Sequence, residues 1–246
     1  NMEAKNKVKF IKDWIQDYVD KMPMKAQSLV IGISGGIDSS VSSTLCALTG
    51  MKTIVLSMPI KQKNEQHDLS LKHQEWLKNN FNNVEAHTIE LDNLFGAFKN
   101  SLSKFDNEHG MANTRARLRM TTLYQVAAAN KGIVVGTGNK VEDFGVGFYT
   151  KYGDGGVDIS PIADCNKTDV WELGKELKIL KEIIDAPPTD GLWDDGRTDE
   201  GQLGLSYKEL EEAMNNENSP NRQKYLKIRE ANLHKMDPIP VCKIPN

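Results

Sequence analysis

The chain has 246 residues, 39% of them hydrophobic and 26% charged, with 34 acidic against 31 basic side chains. These proportions are those of an ordinary globular protein and exclude a disordered, collagen-like or coiled-coil chain. A net charge of −3 gives no field to gather nucleic acid or an anionic membrane, and no apolar run approaches the roughly 18 residues of a spanning helix. Cys46, Cys165 and Cys242 are too dispersed for a disulfide framework or a zinc cluster, so a cytoplasmic protein is expected. The charged, polar N-terminal segment is unlike a signal peptide, and Asn1 ahead of Met2 reads as an added residue.

In chain order, Val8, Ile11, Ile15, Tyr18, Val19 and Met22 recur at three- and four-residue steps, which predicts an amphipathic helix ending near Pro23. Its stripe is expected to pack on its own domain or on a second subunit. Short apolar runs then alternate with longer amphipathic stretches. The runs Ser28–Ser34, Lys52–Met58, Val84–Leu91 and Gly132–Thr137 read as strands. Helices are expected at Ser39–Thr49, Glu65–Asn80, Leu94–Lys104 and Asn113–Asn130, then at Lys167–Lys178, with a loop over Pro187–Gly204 and helix again to about His234. Continuous Val/Ile/Leu strands separated by helices predict an α/β fold: an open parallel sheet with helices on both faces and a helical C-terminal part. No linker or repeat divides the chain, so residues 1–246 are read as one domain.

Ligands of open parallel sheets bind at the C-terminal ends of the strands, which makes the first strand–helix turn the place to look. It reads Gly32-Ile33-Ser34-Gly35-Gly36-Ile37-Asp38-Ser39-Ser40. Two glycines let successive N–H groups point at one anion, the serines add hydroxyl donors, and the following helix turns its positive end the same way. Asp38 supplies an oxygen ligand suited to Mg²⁺ held against phosphates. A tight turn with Asp38 or Ser39 as helix cap is the alternative. The Lys-Ser/Thr of a Walker A loop is absent, as is a G-x-G-x-x-G fingerprint.

The SGGxDSS string resembles the PP-loop of the N-type ATP pyrophosphatases, which split ATP between its α- and β-phosphates. Three further segments narrow the resemblance: Gly136-Thr137-Gly138-Asn139-Lys140-Val141-Glu142, the stretch from Gly147-Phe148-Tyr149-Thr150-Lys151 through Gly153-Asp154-Gly155-Gly156 to Asp158, and Asn113–Met120 with its three arginines. Together they are similar to ammonia-dependent NAD synthetases over nearly the whole chain. The resemblance implies an adenine nucleotide alpha hydrolase-like fold and a reaction in which deamido-NAD is adenylated by Mg-ATP, pyrophosphate leaves, and ammonia displaces AMP to give NAD. It further implies that Gly32, Ile33, Ser34, Gly35, Gly36, Ile37, Asp38 and Ser39, with Thr137, Lys167 and Thr189, contact ATP. By the same match Asp38 and Glu142 ligate Mg²⁺, and Arg117, Lys151, Asp158, His234 and Lys235 contact deamido-NAD. Asp38, Asp154 and Lys167 take the catalytic places, Asp154 as the group that receives or deprotonates ammonia. The implied assembly is a homodimer, with no nucleic acid or membrane partner. Many relatives have Thr-Asp-His where this chain has Thr137-Gly138-Asn139, so the match is looser there.

Arg115 and Arg119, four apart, share a helix face, while Arg117 lies roughly opposite, so at most two of the three are expected at a site. Arg117 is the one expected to work. In the loop Pro187–Gly204, five acids face Arg197 alone, a segment that repels itself, yet Leu192 and Trp193 form an apolar pair that suggests docking. The expectation is a lid that orders over bound nucleotides. A tRNA thiolase is disfavoured by the absence of C-x-x-C and by the negative charge. A GMP synthetase would carry a glutaminase portion and its own dimerisation domain, and 246 residues leave no room for both. A non-catalytic nucleotide sensor is disfavoured by two carboxylates placed for one metal.

Overall fold

The computed structural model describes residues 2–61 and 64–246. Its centre is a four-stranded parallel sheet, β1 (Ser28–Gly32), β2 (Lys52–Ser57), β3 (Val84–Thr88) and β4 (Gly132–Val134), ordered β3-β2-β1-β4. The register runs from Ser28 opposite Lys52 to Gly32 opposite Leu56, and Ser28 opposite Gly132 on the other side. The direction of growth reverses at β1, so the crevice between the ends of β1 and β4 is the switch point of the sheet.

The period of two divides the strands between two cores. Leu29, Ile31, Val55 and Ile133 face one side, where α1 (Ala4–Asp20), α2 (Ile37–Leu48), α3 (Asn64–Asn80), α6 (Lys167–Glu176) and α7 (Lys181–Asp185) cover them. Val30, Ile54, Leu56 and Val134 face the other, under α4 (Asp92–Ser101) and α5 (Glu108–Ala129). A third cluster joins a π-helical turn (Val141–Val146) to α9 (Tyr207–Asn215) and α10 (Arg222–Met236). Among the described residues no helix is long and apolar enough to cross a membrane.

All four expected strands are present, shortened at their C-terminal ends where the chain turns toward the site. The stripe on α1 turns inward: Ile11, Ile15 and Val19 are buried, leaving Phe10, Trp14 and Tyr18 outside. α5 begins at Glu108, ahead of the expected Asn113, because Asn107 caps it by accepting from the Gly110 N–H at 2.7 Å. The stretch 187–204 is not loop throughout. It contains α8 (Asp199–Leu203), capped by the Thr198 hydroxyl at its start and closed by Gly204 with φ 73°.

Candidate active site

The turn after β1 is built as its residue types demand. Gly35 has φ 94°, and a Cβ there would sit 2.4 Å from the Gln66 carbonyl oxygen, so a side chain is excluded twice over. The Ser34 N–H donates to the Ser39 hydroxyl at 3.1 Å, and the Gly36 N–H to the Ser34 hydroxyl at 3.2 Å. Beneath it, the Ser70 hydroxyl donates to the Ile33 carbonyl at 2.9 Å, and Ser43 bonds buried His73 Nε2 at 3.0 Å. Asp38 lies in the first turn of α2 and points into the crevice.

Three elements deliver the partners of Asp38. The turn after β4 is pinned by Gly136 N–H to the Ile159 carbonyl and Lys140 N–H to the Cys165 carbonyl, both at 2.8 Å. It leads into the π-turn carrying Glu142, which α10 holds through Arg229 to the Gly145 carbonyl at 2.7 Å and Asn232 to the Val146 carbonyl at 2.9 Å. Asn139, fully buried, donates to both carboxylates, at 2.9 Å to Glu142 and 3.3 Å to Asp38. Lys167 opens α6 behind the cap Asn166, and Glu211 on α9 fixes that opening by accepting from Thr168 N–H at 3.1 Å and its hydroxyl at 2.8 Å. The Lys167 ammonium lies 2.6 Å from Asp38 and 3.8 Å from Glu142.

The electrostatics are those of crowded acids around one buried cation. Burial opposes the charge on Lys167, but Asp38 and Glu142 outweigh it and hold its ammonium above the ordinary value. Burial, with Asp38 adding, raises Glu142 well above the usual carboxylate range. Asp199, brought in by α8, is pushed to about 7 mainly by burial. The Tyr207 hydroxyl is bonded to both, 2.7 Å from Glu142 and 2.8 Å from Asp199. One oxygen of Asp38 and one of Asp199 are buried with no hydrogen-bond partner. Asp154 opens onto the same cavity and accepts from Thr150 N–H at 2.7 Å. The protein packed around it, with Asp190 adding, lifts its carboxyl to about 6.

Of the residues singled out from the sequence, Gly32, Ile33, Ser34, Gly36, Ile37, Asp38, Ser39, Thr137, Glu142, Asp154, Lys167 and Thr189 line one cavity. Gly35, within the turn, does not line it, and neither do Arg117, Lys151, Asp158, His234 and Lys235. Lys151 and Asp158 lie in the 149–158 turn itself, Arg117 and Lys235 bond to it from outside, and His234 is exposed on α10. Arg117 is exposed and donates to the Lys151 carbonyl at 3.2 Å. Lys235 donates to the Tyr149 carbonyl at 2.6 Å. Asp158 is occupied, accepting from Val134 N–H at 2.7 Å and from the Tyr124 hydroxyl at 3.0 Å.

Arg119, not Arg117, reaches the cavity, because the face shared by Arg115 and Arg119 is the one α5 turns inward. The two inward arginines also alter the picture of a self-repelling loop. Arg115 pairs with Asp194, and Arg119 donates to the Gly191 carbonyl at 3.1 Å, so α5 tethers the segment. Leu192 lines the cavity, while Trp193 packs under the Arg197 guanidinium at 3.9 Å. Asp199 and Tyr207 had no local sequence signal, since the bonds of Tyr207 to Glu142 and Asp199 arise only through folding, whereas Asn139 stands in the 136–142 stretch and bonds Glu142 three residues on.

The profile of the family described as NAD synthase matches residues 7–240. The NH(3)-dependent NAD(+) synthetase of Methanoregula boonei is 38% identical over 220 residues, 86% of each chain. Among solved structures, an NMN synthetase from Francisella tularensis superposes with a TM-score of 0.90 at 32% identity, covering 100% of both chains. An NH3-dependent NAD synthetase from Campylobacter jejuni gives 0.79 at 23% identity over 99% of this chain and all of its own, a likeness of fold. With the sheet, the turn after β1 and the acid–lysine cluster all in place, the match over nearly the full length leads to one conclusion: the chain belongs to the NAD synthase family.

Proposed function

We propose that the chain, working as one cytoplasmic domain over residues 1–246, amidates deamido-NAD with ammonia at the expense of ATP. The observation that carries this reading is the single cavity where the glycine-serine turn, Asp38, Glu142, Lys167, Thr137, Thr189 and Asp154 converge. Pairs of hard carboxylate oxygens, with one oxygen each of Asp38 and Asp199 buried and unpartnered, fit a divalent cation such as Mg²⁺. When bound through Asp38 and Glu142, that ion supplies charge neutralisation for the phosphates.

The chain's own residues do the rest. The N–H groups and hydroxyls from Gly32 to Ser39 cradle the phosphates at the positive end of α2. A carboxylate oxygen of the substrate attacks the α-phosphorus, and the bond to pyrophosphate breaks. Lys167, held by Asp38, presents its ammonium to the charge that develops there. Ammonia then attacks the acyl carbon, the bond to AMP breaks, and the surplus proton passes to Asp154, whose raised carboxyl sits near neutrality. Arg117, Lys151, Asp158, His234 and Lys235, which lie outside the cavity, take the dinucleotide.

The reading includes a homodimer. α1 turns Ile11, Ile15 and Val19 to its own core, so the contact faces it leaves are its exposed row Phe10, Trp14 and Tyr18 and the face of α4 and its extension, where Leu94, Phe98, Leu102 and Phe105 lie exposed. A monomer by light scattering at micromolar concentration would remove this part.

Purified protein with ATP, Mg²⁺, deamido-NAD and ammonium should yield NAD, AMP and pyrophosphate in equal amounts, and glutamine alone should not replace ammonium. Substrate-coupled ADP formation would overturn the proposal. A second acid substrate, nicotinate mononucleotide, is favoured by the end-to-end superposition on an NMN synthetase. Comparing kcat/KM for the two acids in the same assay decides between them.

A further inference from the structure

Two cations line the candidate active site, Lys167 and Arg119, and their states differ. Lys167 is committed to Asp38 and Glu142. The Arg119 guanidinium donates Nε–H to the Met58 carbonyl at 3.0 Å and Nη1–H to the Gly191 carbonyl at 3.1 Å. Its Nη2 is buried without a partner. Leaving a charged donor buried and unsatisfied costs more than a hydrogen bond contributes, so this group is incomplete without a further acceptor.

The cavity wall says what that acceptor is. Asp38, Glu142, Asp154, Asp190 and Asp199 all line it, so an entering anion meets a wall of net negative charge with Arg119 as its uncommitted cation. Burial, with Arg115 adding, draws the guanidinium down to about 10, which leaves it protonated at neutral pH. The residue type is also specific. Two arms of a rigid fork tie the end of β2 to the 187–204 segment while the third stays free, a division that a lysine cannot make.

We propose that Arg119 contacts the reacting substrate, its free Nη2–H meeting an anionic oxygen, either a phosphoryl oxygen of the nucleotide or the carboxylate of the acid. This rests on the ATP-dependent amidation proposed above. It also gives α5 a direct part in the chemistry beyond tethering the loop.

The test compares Arg119→Met and Arg119→Lys with Arg115→Met, which loosens the same loop without removing the cavity guanidinium. Circular dichroism first establishes that each variant is folded; if Arg119→Met is not, Arg119→Lys carries the comparison. Mg-ATP affinity by calorimetry without acid substrate, KM for the nicotinate nucleotide and kcat are then measured. Arg119→Met is expected to lose roughly a hundredfold in kcat/KM, the scale of one preorganised donor, and Arg119→Lys to recover part of it. A tenfold or greater loss of ATP affinity identifies a phosphoryl partner; unchanged ATP affinity with a tenfold rise in KM for the acid identifies the carboxylate. Affinity, KM and kcat all within twofold of the Arg115→Met values would overturn the proposal. If the wild-type chain makes no AMP, the amidation reading fails by itself, and ATP affinity alone decides Arg119, a wild-type-like value in Arg119→Met counting against it.

Discussion

Lys167 Nζ lies 2.6 Å from Asp38 Oδ2 across 129 residues of sequence, and this contact joins the start of α6 to the start of α2. The pair is not balanced, because Glu142 and Asp199 also press on it and Lys167 is the cation among them. Removing the lysine therefore leaves three acids facing one another, whereas removing Asp38 relieves repulsion on Glu142.

Lys167→Met is accordingly expected to cost about 3 kcal/mol or more of stability, as breaking a buried pair does. Asp38→Asn should cost less than about 1 kcal/mol, since Glu142 still faces the ammonium. Urea unfolding of the two variants checks the order. Equal losses would show that the acids do not repel as described. Both variants, and Glu142→Gln, should lose roughly a hundredfold or more in kcat while remaining folded.

Divalent-cation binding should release protons at pH 7. Asp199 is pushed to about 7 and so holds part of a proton that a nearby cation displaces, and burial shifts Glu142 in the same direction. The same cation should raise Tm by relieving the repulsion, and chelation should reverse it. Calorimetry of Mg²⁺ with ATP in two buffers of different ionisation enthalpy measures the protons. Identical heats in both would contradict the expectation.

His73 is fully buried against Trp76, and burial pulls its imidazole from 6.5 down to about 4. The unfolded chain therefore binds the extra proton first as pH falls. This group's contribution, about 3 kcal/mol, is intact above pH 6.5 and lost progressively toward pH 4. The raised acids act in the opposite sense over the same window, so wild type must be compared with His73→Asn. The gap between the two stability curves should narrow on acidification, and a constant gap would exclude the assignment.

Gly138 has a steric partner. A Cβ there would meet both Asp143 carboxylate oxygens at 2.4 Å. Gly138→Ala should cost about 1–3 kcal/mol, and adding Asp143→Ala should return most of it. A double-mutant cycle by thermal unfolding gives the coupling; additive effects would show that Asp143 moves aside freely.

The segment 187–204 should exchange amide hydrogens more slowly when ATP and the acid substrate are both present. Its ties are the Arg115–Asp194 pair, Arg119 to Gly191, and Asp199 N–H to the Pro188 carbonyl at 2.9 Å. Exchange that ignores both ligands would reduce it to an ordinary surface connection.

By itself the sequence determined the sheet, its parallel sense and the turn after β1. These depend on local matters: a period of two, continuous apolar runs, and glycines where only a glycine fits. Asp38 followed from that turn, whereas Thr137, Glu142, Lys167 and Thr189 were implied only by the resemblance to a known family; all five line one cavity. Tertiary structure decided which face of α5 turns inward, and so that Arg119 enters the cavity while Arg117 stays outside. It decided that Asp199 is a buried member of the acid cluster and not one more charge on a loop, and that Tyr207 and Asn139 tie that cluster together. The reason is physical. A helix with an almost unbiased distribution of apolar residues carries no local record of its inward face, and a buried acid is tolerable only where partners from distant segments meet it.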